Sequence, residues 1–387
     1  MKKLALVTII GLILSGCGGG GSSDSGSTPK PDIKPETKPA LVEGTIDKVN
    51  GSNIIVNGRS YQVASVNYAN TPLADGVSVL KPQMMVQVSD VARAGATVFL
   101  DPTLLGKVTA VNHTTNTFTI NGVELSFAQL NKEIEINDWV MVSALPMATE
   151  TGVGYKVLSV IEVENTDLAG KYELEGTLSQ LDSAASTFKL GQVVVDYANI
   201  QLEPTIGNGD WVEVTGQMSD GSFVATEVEV DNYDDNEDFD DAEIEGVVTW
   251  INNEKTLFTL NARGQFVIDN STRFEDGSRN NLKTGELVEV TAINGVAKEI
   301  EFDRDHDGDH EQGTWYEFDA EGSVTDVDMI DLVIMINTNQ GLQKVYVDNM
   351  TRYEDRLTLA TLTGKRVEIE GIVRNGQKIA REIELED

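Results

Sequence analysis

Cysteine is almost absent from this chain: Cys17 is the only one in 387 residues. A disulfide within the chain is thereby excluded, and stability has to come from packing. Histidine is nearly as scarce, with three, and 29 basic residues face 63 acidic ones for a formal net charge of −34. A surface of that sign repels nucleic-acid phosphates and anionic lipid headgroups and attracts cations. Nucleic-acid binding, which needs a basic groove interleaved with aromatics, is not expected. Catalytic signatures are missing as well: there is no G-x-S-x-G elbow, H-E-x-x-H, P-loop or dinucleotide fingerprint. Carboxylates are so frequent that a glycosidase-like pair would arise by chance. An enzyme is therefore not expected. The apolar run from Leu4 to Leu14 is too short to span a bilayer as a helix of about 20 residues.

That run does carry information. It follows Lys2 and Lys3, as the core of a secretory signal does, and it ends in Leu14-Ser15-Gly16-Cys17. The ending resembles the bacterial lipobox. The resemblance implies that residues 1–16 are removed and that Cys17 carries lipid, which makes the membrane a partner. Glycine rather than aspartate follows Cys17, and similarity to the enteric sorting rule then implies the outer membrane of a bacterial envelope. An ordinary secretory signal with an incidental cysteine is the alternative. Gly18 to Ala40 has no apolar periodicity. Its Gly/Ser part reads as flexible coil and its Pro/Lys part as an extended spacer, so residues 17–40 are expected to form a tether.

Beyond the tether the chain repeats itself. "EGTIDKVN" at Glu43, "GKVTAVN" at Gly106, "EGTLSQLD" at Glu175, "EGVVTWIN" at Glu245 and "EGSVTDVD" at Glu321 share a glycine, at 44, 106, 176, 246 and 322. Each is followed by a second apolar segment and then by a third, such as "DWVMV", "DWVEVTG" or "ELVEVTA". Within a unit the period is two: Val212 and Val214 share one face of a strand and Glu213 and Thr215 the other. Asn57-Gly58, Asn121-Gly122, Asp220-Gly221, Asn294-Gly295 and Asn375-Gly376 are turn dipeptides between such strands. Helical faces are confined to short stretches near Phe127 to Asn131 and Leu357 to Leu362.

The fold class expected is all-β: a tandem array of about five small OB-like β-barrel units after a lipoprotein signal peptide and flexible tether. A small sandwich or another small barrel is the alternative. The units are placed at 41–104, 105–170, 171–230, 244–302 and 319–387. Acidic linkers are placed at 231–243 and 303–318. The E-G-x-V start, "FEDG" at Phe274 to Gly277, "GELVEV" at Gly285 to Val290 and "VATEVEV" at a unit's end are together similar to the bacterial domain-of-unknown-function family 5666. The similarity covers Glu175 to Asp387 best and the first unit least. It implies tandem β units in envelope proteins and brings no catalytic residues.

Three candidate sites stand out. In "FDRDHDGDHEQGTW" the carboxylates Asp303, Asp305, Asp307, Asp309 and Glu311 surround Gly308 in an EF-hand-like register, hard oxygen ligands suited to Ca²⁺. Position 12, where a bidentate glutamate belongs, is Thr314. His306 and His310 offer a Zn²⁺ or Cu²⁺ reading, and a solvated acidic connector is the third. Trp139 and Trp211 occupy the same template position, where they either stack on sugar rings or pack against the barrel. Trp250 and Trp315 sit at unit edges, and His113 reads as a solvated turn residue. The expected role is a non-enzymatic envelope scaffold, spacer or binding module with an envelope protein or polysaccharide as partner. The alternatives are Ca²⁺ binding through Asp303–Glu311 and carbohydrate binding through the tryptophans.

Overall fold

Stretches of period two become strands, and turn dipeptides reverse them. The computed structural model describes residues 41–69, 71–91, 95–149, 152–163, 168–233, 241–302 and 316–386. Unit 1 contains β1 (Leu41–Asn50), β2 (Asn53–Val56), β3 (Arg59–Tyr68), the short β4 (Thr71–Pro72), β5 (Met85–Val91) and β6 (Gly95–Leu100). Unit 2 contains β7 (Leu104–Asn112), β8 (Thr117–Ile120), β9 (Val123–Ser126), β10 (Trp139–Thr149) and β11 (Gly152–Glu162). Unit 3 follows with β12 (Tyr172–Asp182), β13 (Thr187–Leu190), β14 (Val193–Asp196), β15 (Trp211–Ser219) and β16 (Ser222–Val230). Unit 4 has β17 (Asp241–Ile251), β18 (Leu257–Leu260), β19 (Gly264–Val267), the short β20 (Arg273–Glu275), β21 (Leu287–Ile293) and β22 (Val296–Phe302). Unit 5 has β23 (Glu317–Asp328), β24 (Val333–Thr338), β25 (Gly341–Tyr346), the short β26 (Arg352–Tyr353), β27 (Arg366–Arg374) and β28 (Gln377–Leu385).

Counting the five principal strands of a unit, the order is first, second, third, fifth, fourth, and the fourth returns to the first. In unit 3 this is β12-β13-β14-β16-β15-β12, with β14 and β16 parallel and the other pairs antiparallel. Units 1, 4 and 5 close in the same way. This is the five-stranded Greek-key order of an OB-like barrel. In unit 2, among the described residues, β9 and β11 form no ladder, so that barrel stays open on one side. The turn dipeptides behave as expected, both residues adopting positive φ, for example 50° and 79° at Asn121 and Gly122. Of the two helical stretches, one turn of 3-10 helix forms at Leu359–Thr361, capped by Thr358.

The shared glycine has a steric reason. In units 1, 2 and 4 an asparagine in the turn after the second strand lies across the first strand. Asn57 Nδ2 donates to Glu43 O at 3.3 Å, Asn121 to Leu105 O at 3.0 Å and Asn261 to Glu245 O at 3.2 Å. A Cβ on Gly44, Gly106 or Gly246 would overlap that amide. Unit 3 lacks the asparagine, and the hydroxyl of Tyr155, from unit 2, takes its place over Gly176 and donates to Glu175 O.

A tandem array could form a rod or a string of separate barrels, and the structure shows neither. Pro39–Asp387 forms one compact unit, and within it the barrels touch in a closed circuit. Units 1 and 2 share a core through Leu105, Met141 and Leu168, and β7 and β12 join units 2 and 3 in one sheet. Asn349 of unit 5 binds Asn208 O and Asp210 of unit 3. Trp250, Leu257, Ile372 and Ile379 seal unit 4 to unit 5, and β1 pairs β17 in parallel to bring unit 4 back to unit 1. The boundaries shift accordingly. Asp241 to Glu243, placed in an acidic linker on sequence, begin β17, and β23 begins at Glu317 rather than 319.

Gly106→Ala should expel the Asn121 side chain and strand its partners, lowering stability by about 2–3 kcal/mol in a urea titration. Adding Asn121→Gly, which suits the positive φ there, should recover part of that loss, whereas a single variant as stable as the wild type would deny the lock any role.

Candidate functional site

The first strands explain where the charged residues go. In an isolated barrel the outward face of a first strand meets water, and β23 of unit 5 shows this, with Asp319 and Glu321 exposed. In β1, β12 and β17 the same face meets another unit, and their first halves are buried on both sides. Glu43, Glu173, Glu175 and Glu243, 0–4% exposed, are therefore enclosed.

Glu43, Glu173 and Glu243 have partners from outside their own unit, and Glu175 has one from within it. Arg59 of β3 grips Glu243 with Nε at 3.0 Å and Nη2 at 2.7 Å. Thr45 donates to Glu245 from N at 2.7 Å and from Oγ1 at 2.9 Å. Glu43 accepts from Arg263 Nη1 at 2.8 Å and from the Tyr233 hydroxyl at 2.7 Å. Arg263 also binds Asp231 and lies over the Tyr233 ring at 4.6 Å. Tyr68 of unit 1 and Glu173 of unit 3 share a hydrogen bond, and Glu175 accepts from Trp211 Nε1 at 3.3 Å. Carboxylate oxygens of Asp101, Glu175 and Asp231 lie within 4.8 Å of one another.

Four carboxyls, Glu43, Asp101, Glu175 and Asp231, thus gather around the guanidinium of Arg263, and Glu173 adjoins them beside Asp101 and Asp231. Burial pushes Glu43 up to about 8, against the opposing pull of Arg263, and Asp101 up to about 6. Burial also raises Glu173 and Glu175 well above the usual carboxylate range. Glu213 adds to the shift for Glu173, and Asp101 and Asp231 add to it for Glu175. Burial works against the charge on Arg263, but Asp231 and Glu43 hold it well above its usual range. Protons therefore supply much of the compensation that cations would otherwise provide. The junction is built to fasten units 1, 3 and 4 and to hold protons. A second carboxylate group, Glu275, Glu299 and Glu301, lies within the same 4.8 Å limit on unit 4, where Arg273 pairs with Glu275 and Glu299.

The sites anticipated from sequence fare differently. Cys17 lies outside the described residues, as do Asp303, Asp305, Asp307, Asp309, Glu311, His306, His310 and Trp315. Trp211 corrects the stacking expectation: it is 3% exposed, its indole committed to Glu175, so no ring face is open to a sugar. Trp139 is half-buried and packs edge-on against Tyr172, with ring centres 4.8 Å apart. Trp250 is buried between units 4 and 5. His113, expected to be solvated, is half-buried with Nε2 at 3.0 Å from Ile134 O. The acidic junction went unanticipated. Its signal in the sequence is the acid-x-Glu-Gly of "ELEG" and "EIEG", which unit 5 repeats as "DAEG" with its carboxylates exposed.

By strand order, this is a tandem-repeat protein of OB-like β-barrels. Its last three units match the family model of the domain of unknown function DUF5666, at residues 175–229, 245–301 and 321–384. Units 1 and 2 lie outside those matches, yet share the order of principal strands, closed in unit 1 and open in unit 2. No curated protein matches the chain. A solved structure titled drosophila Unr CSD456 aligns at 12% identity over 74% of this chain and 98% of that one, with a TM-score of 0.15.

Raised carboxyl values make folding take up protons. The stability they contribute is full below their unfolded values near 4 to 4.5 and is lost as pH rises through about 6 for Asp101 and about 8 for Glu43. The melting temperature should fall across that window. Glu175→Gln, whose amide oxygen still accepts from Trp211, should raise the melting temperature at the alkaline end and flatten the profile. An unchanged profile in the variant would remove the junction as its source.

Proposed function

We propose that this is a non-enzymatic lipoprotein of the bacterial envelope, anchored by lipid on Cys17 in the outer membrane and acting as a scaffold, spacer or binding module. The observation that carries the reading is the use of charge and surface within Pro39–Asp387. Acidic side chains, tryptophans and first-strand faces that a ligand site would draw on are spent on joining barrels. A cavity between units 3, 4 and 5 and another between units 2, 3 and 5 measure about 10 and about 20 Å³, room for one or two water molecules. A tethered body of this kind offers a partner, an envelope protein or polysaccharide, its outer surface.

Fractionation tests the anchor. Cys17→Ser should move the protein from the membrane to the soluble envelope fraction, and an unchanged distribution would remove the lipid from the reading. Calorimetric titration with Ca²⁺ tests the role of the body. Flat heats agree with a scaffold. Saturable binding that is lost when Asp305 and Asp307 are changed to asparagine would replace the scaffold by a cation-binding protein.

A further inference from the structure

Where unit 5 meets unit 3, two small cavities are both lined by Thr177 of β12 and Arg374 of β27; the smaller is also bordered by unit 4 and the larger by Tyr155 of unit 2. The smaller also touches Thr259 and Arg381, the larger Trp211 and Asn375. Their polar groups are left unmatched. Thr177 and Thr259 are 8% and 2% exposed, and the Oγ1 of each has no hydrogen-bond partner. Arg374 is 9% exposed, its guanidinium makes no hydrogen bond among the described residues, and its ion pair with Asp348 Oδ2, which likewise has no hydrogen-bond partner, is long, at 3.6 Å. Asp348 is held more closely by Arg381, at 2.9 Å, and by the amide of Met350, at 3.1 Å. Two enclosed guanidiniums therefore share one carboxylate. Glu175, two residues before Thr177, does not supply the missing charge, because its carboxyl is gathered with Asp101 and Asp231.

A buried guanidinium short of acceptors is costly unless something negative meets it. Among the groups facing the cavities, the guanidiniums of Arg374 and Arg381 only donate, and the hydroxyls of Thr177 and Thr259 can donate or accept. Negatively charged side chains are absent from both linings. The larger cavity, about 20 Å³, suits one monoatomic ion, and the smaller, about 10 Å³, suits one water. Thr177 can serve both, donating into the larger cavity and accepting from a water in the smaller one, which Thr259 would also bind.

We propose that the larger cavity, between units 2, 3 and 5, binds one small monovalent anion of chloride type, held by the Arg374 guanidinium and the Thr177 hydroxyl. The anion completes the charge balance of this corner and ties unit 5 into the circuit. Burial and the neighbouring Arg381 lower Arg374 to about 10, which leaves it charged, and able to hold an anion, at neutral pH.

The test uses the full chain in mild detergent, melted at constant ionic strength while sodium gluconate is exchanged for sodium chloride. The wild type should gain melting temperature saturably with chloride, and Arg374→Gln should lose the response. If Arg374→Gln does not fold, Thr177→Val, which keeps the side-chain shape, carries the test with an apparent chloride affinity weaker by about tenfold. Bromide-soaked crystals should show an anomalous peak beside Arg374. Equal melting in the two salts, a chloride response unaltered by Thr177→Val, or a cavity occupied by water without anomalous signal would each overturn the proposal.

Discussion

A carboxyl taken out of water must be given a fixed donor, a cation or a proton, and the arrangement of these barrels depends on how that demand is met. Glu43, Glu173, Glu175 and Glu243 lie on strands that would be half-exposed in a lone barrel. Their compensating groups come from elsewhere in the chain: Arg59 from unit 1 reaches Glu243 of unit 4, Arg263 from unit 4 reaches Glu43 of unit 1, and Tyr68 from unit 1 reaches Glu173 of unit 3. The exchange between units 1 and 4 is reciprocal, so neither unit satisfies its own buried charges when separated. Such pairs add little net stability over a well-packed apolar contact, because desolvation offsets much of the attraction. Their effect is on register. The parallel ladder between β1 and β17 runs over three residue pairs, and it is the crossed ion pairs that fix which residue meets which.

Five units of one fold can face each other in many ways, and small local differences select one. The asparagine that covers the first-strand glycine in units 1, 2 and 4 is missing from unit 3. A tyrosine from unit 2 fills that place, so what is an internal contact in the other barrels becomes a contact between barrels. Unit 5 departs in another way. Its glycine lies against the backbone of Asn337, and its first strand keeps the alternation of a surface strand. Its attachment runs through Trp250, Asn349 and the Arg381 carbonyl, which accepts from Gln265 of unit 4, instead. Unit 5 is thus joined by its loops and its fourth and fifth strands, whereas units 1, 3 and 4 are joined by their first strands.

Most of the barrel is legible in the sequence because its determinants are local. Turn dipeptides, alternation and the recurring glycine each act over a few residues, and they gave the strands, their reversals and the number of units. What lay between units was not legible in the same terms. Period two assigns Glu175 and Glu243 to the outward face, correctly, but nothing in the period says whether that face meets water or another barrel. Asp231 to Glu243 read as a solvated connector for its charge density, yet its two ends are taken into the fold by Arg263 and Arg59. Trp211 was ambiguous for the same reason, since an outward aromatic is a ligand platform on a free barrel and a core residue on a packed one. A second recognisable sign was Arg263, a cation in the three-residue turn Asn261-Ala262-Arg263, where units 2 and 3 have the two-residue turns Asn121-Gly122 and Gly191-Gln192.

Closure of the circuit changes what the array can do. In an open solenoid each repeat touches its neighbours along the chain, stability grows by increments, and the ends fray first. Here the chain-order neighbours 3 and 4 are bridged by the Asp231–Arg263 pair, while contacts between units 1 and 4 and between units 3 and 5 join positions far apart in sequence. Opening any one interface then strains the others, so the five units should unfold together rather than one by one. The closed circuit gives the barrels a surface of fixed geometry, which a partner could bind without ordering the barrels at its own expense.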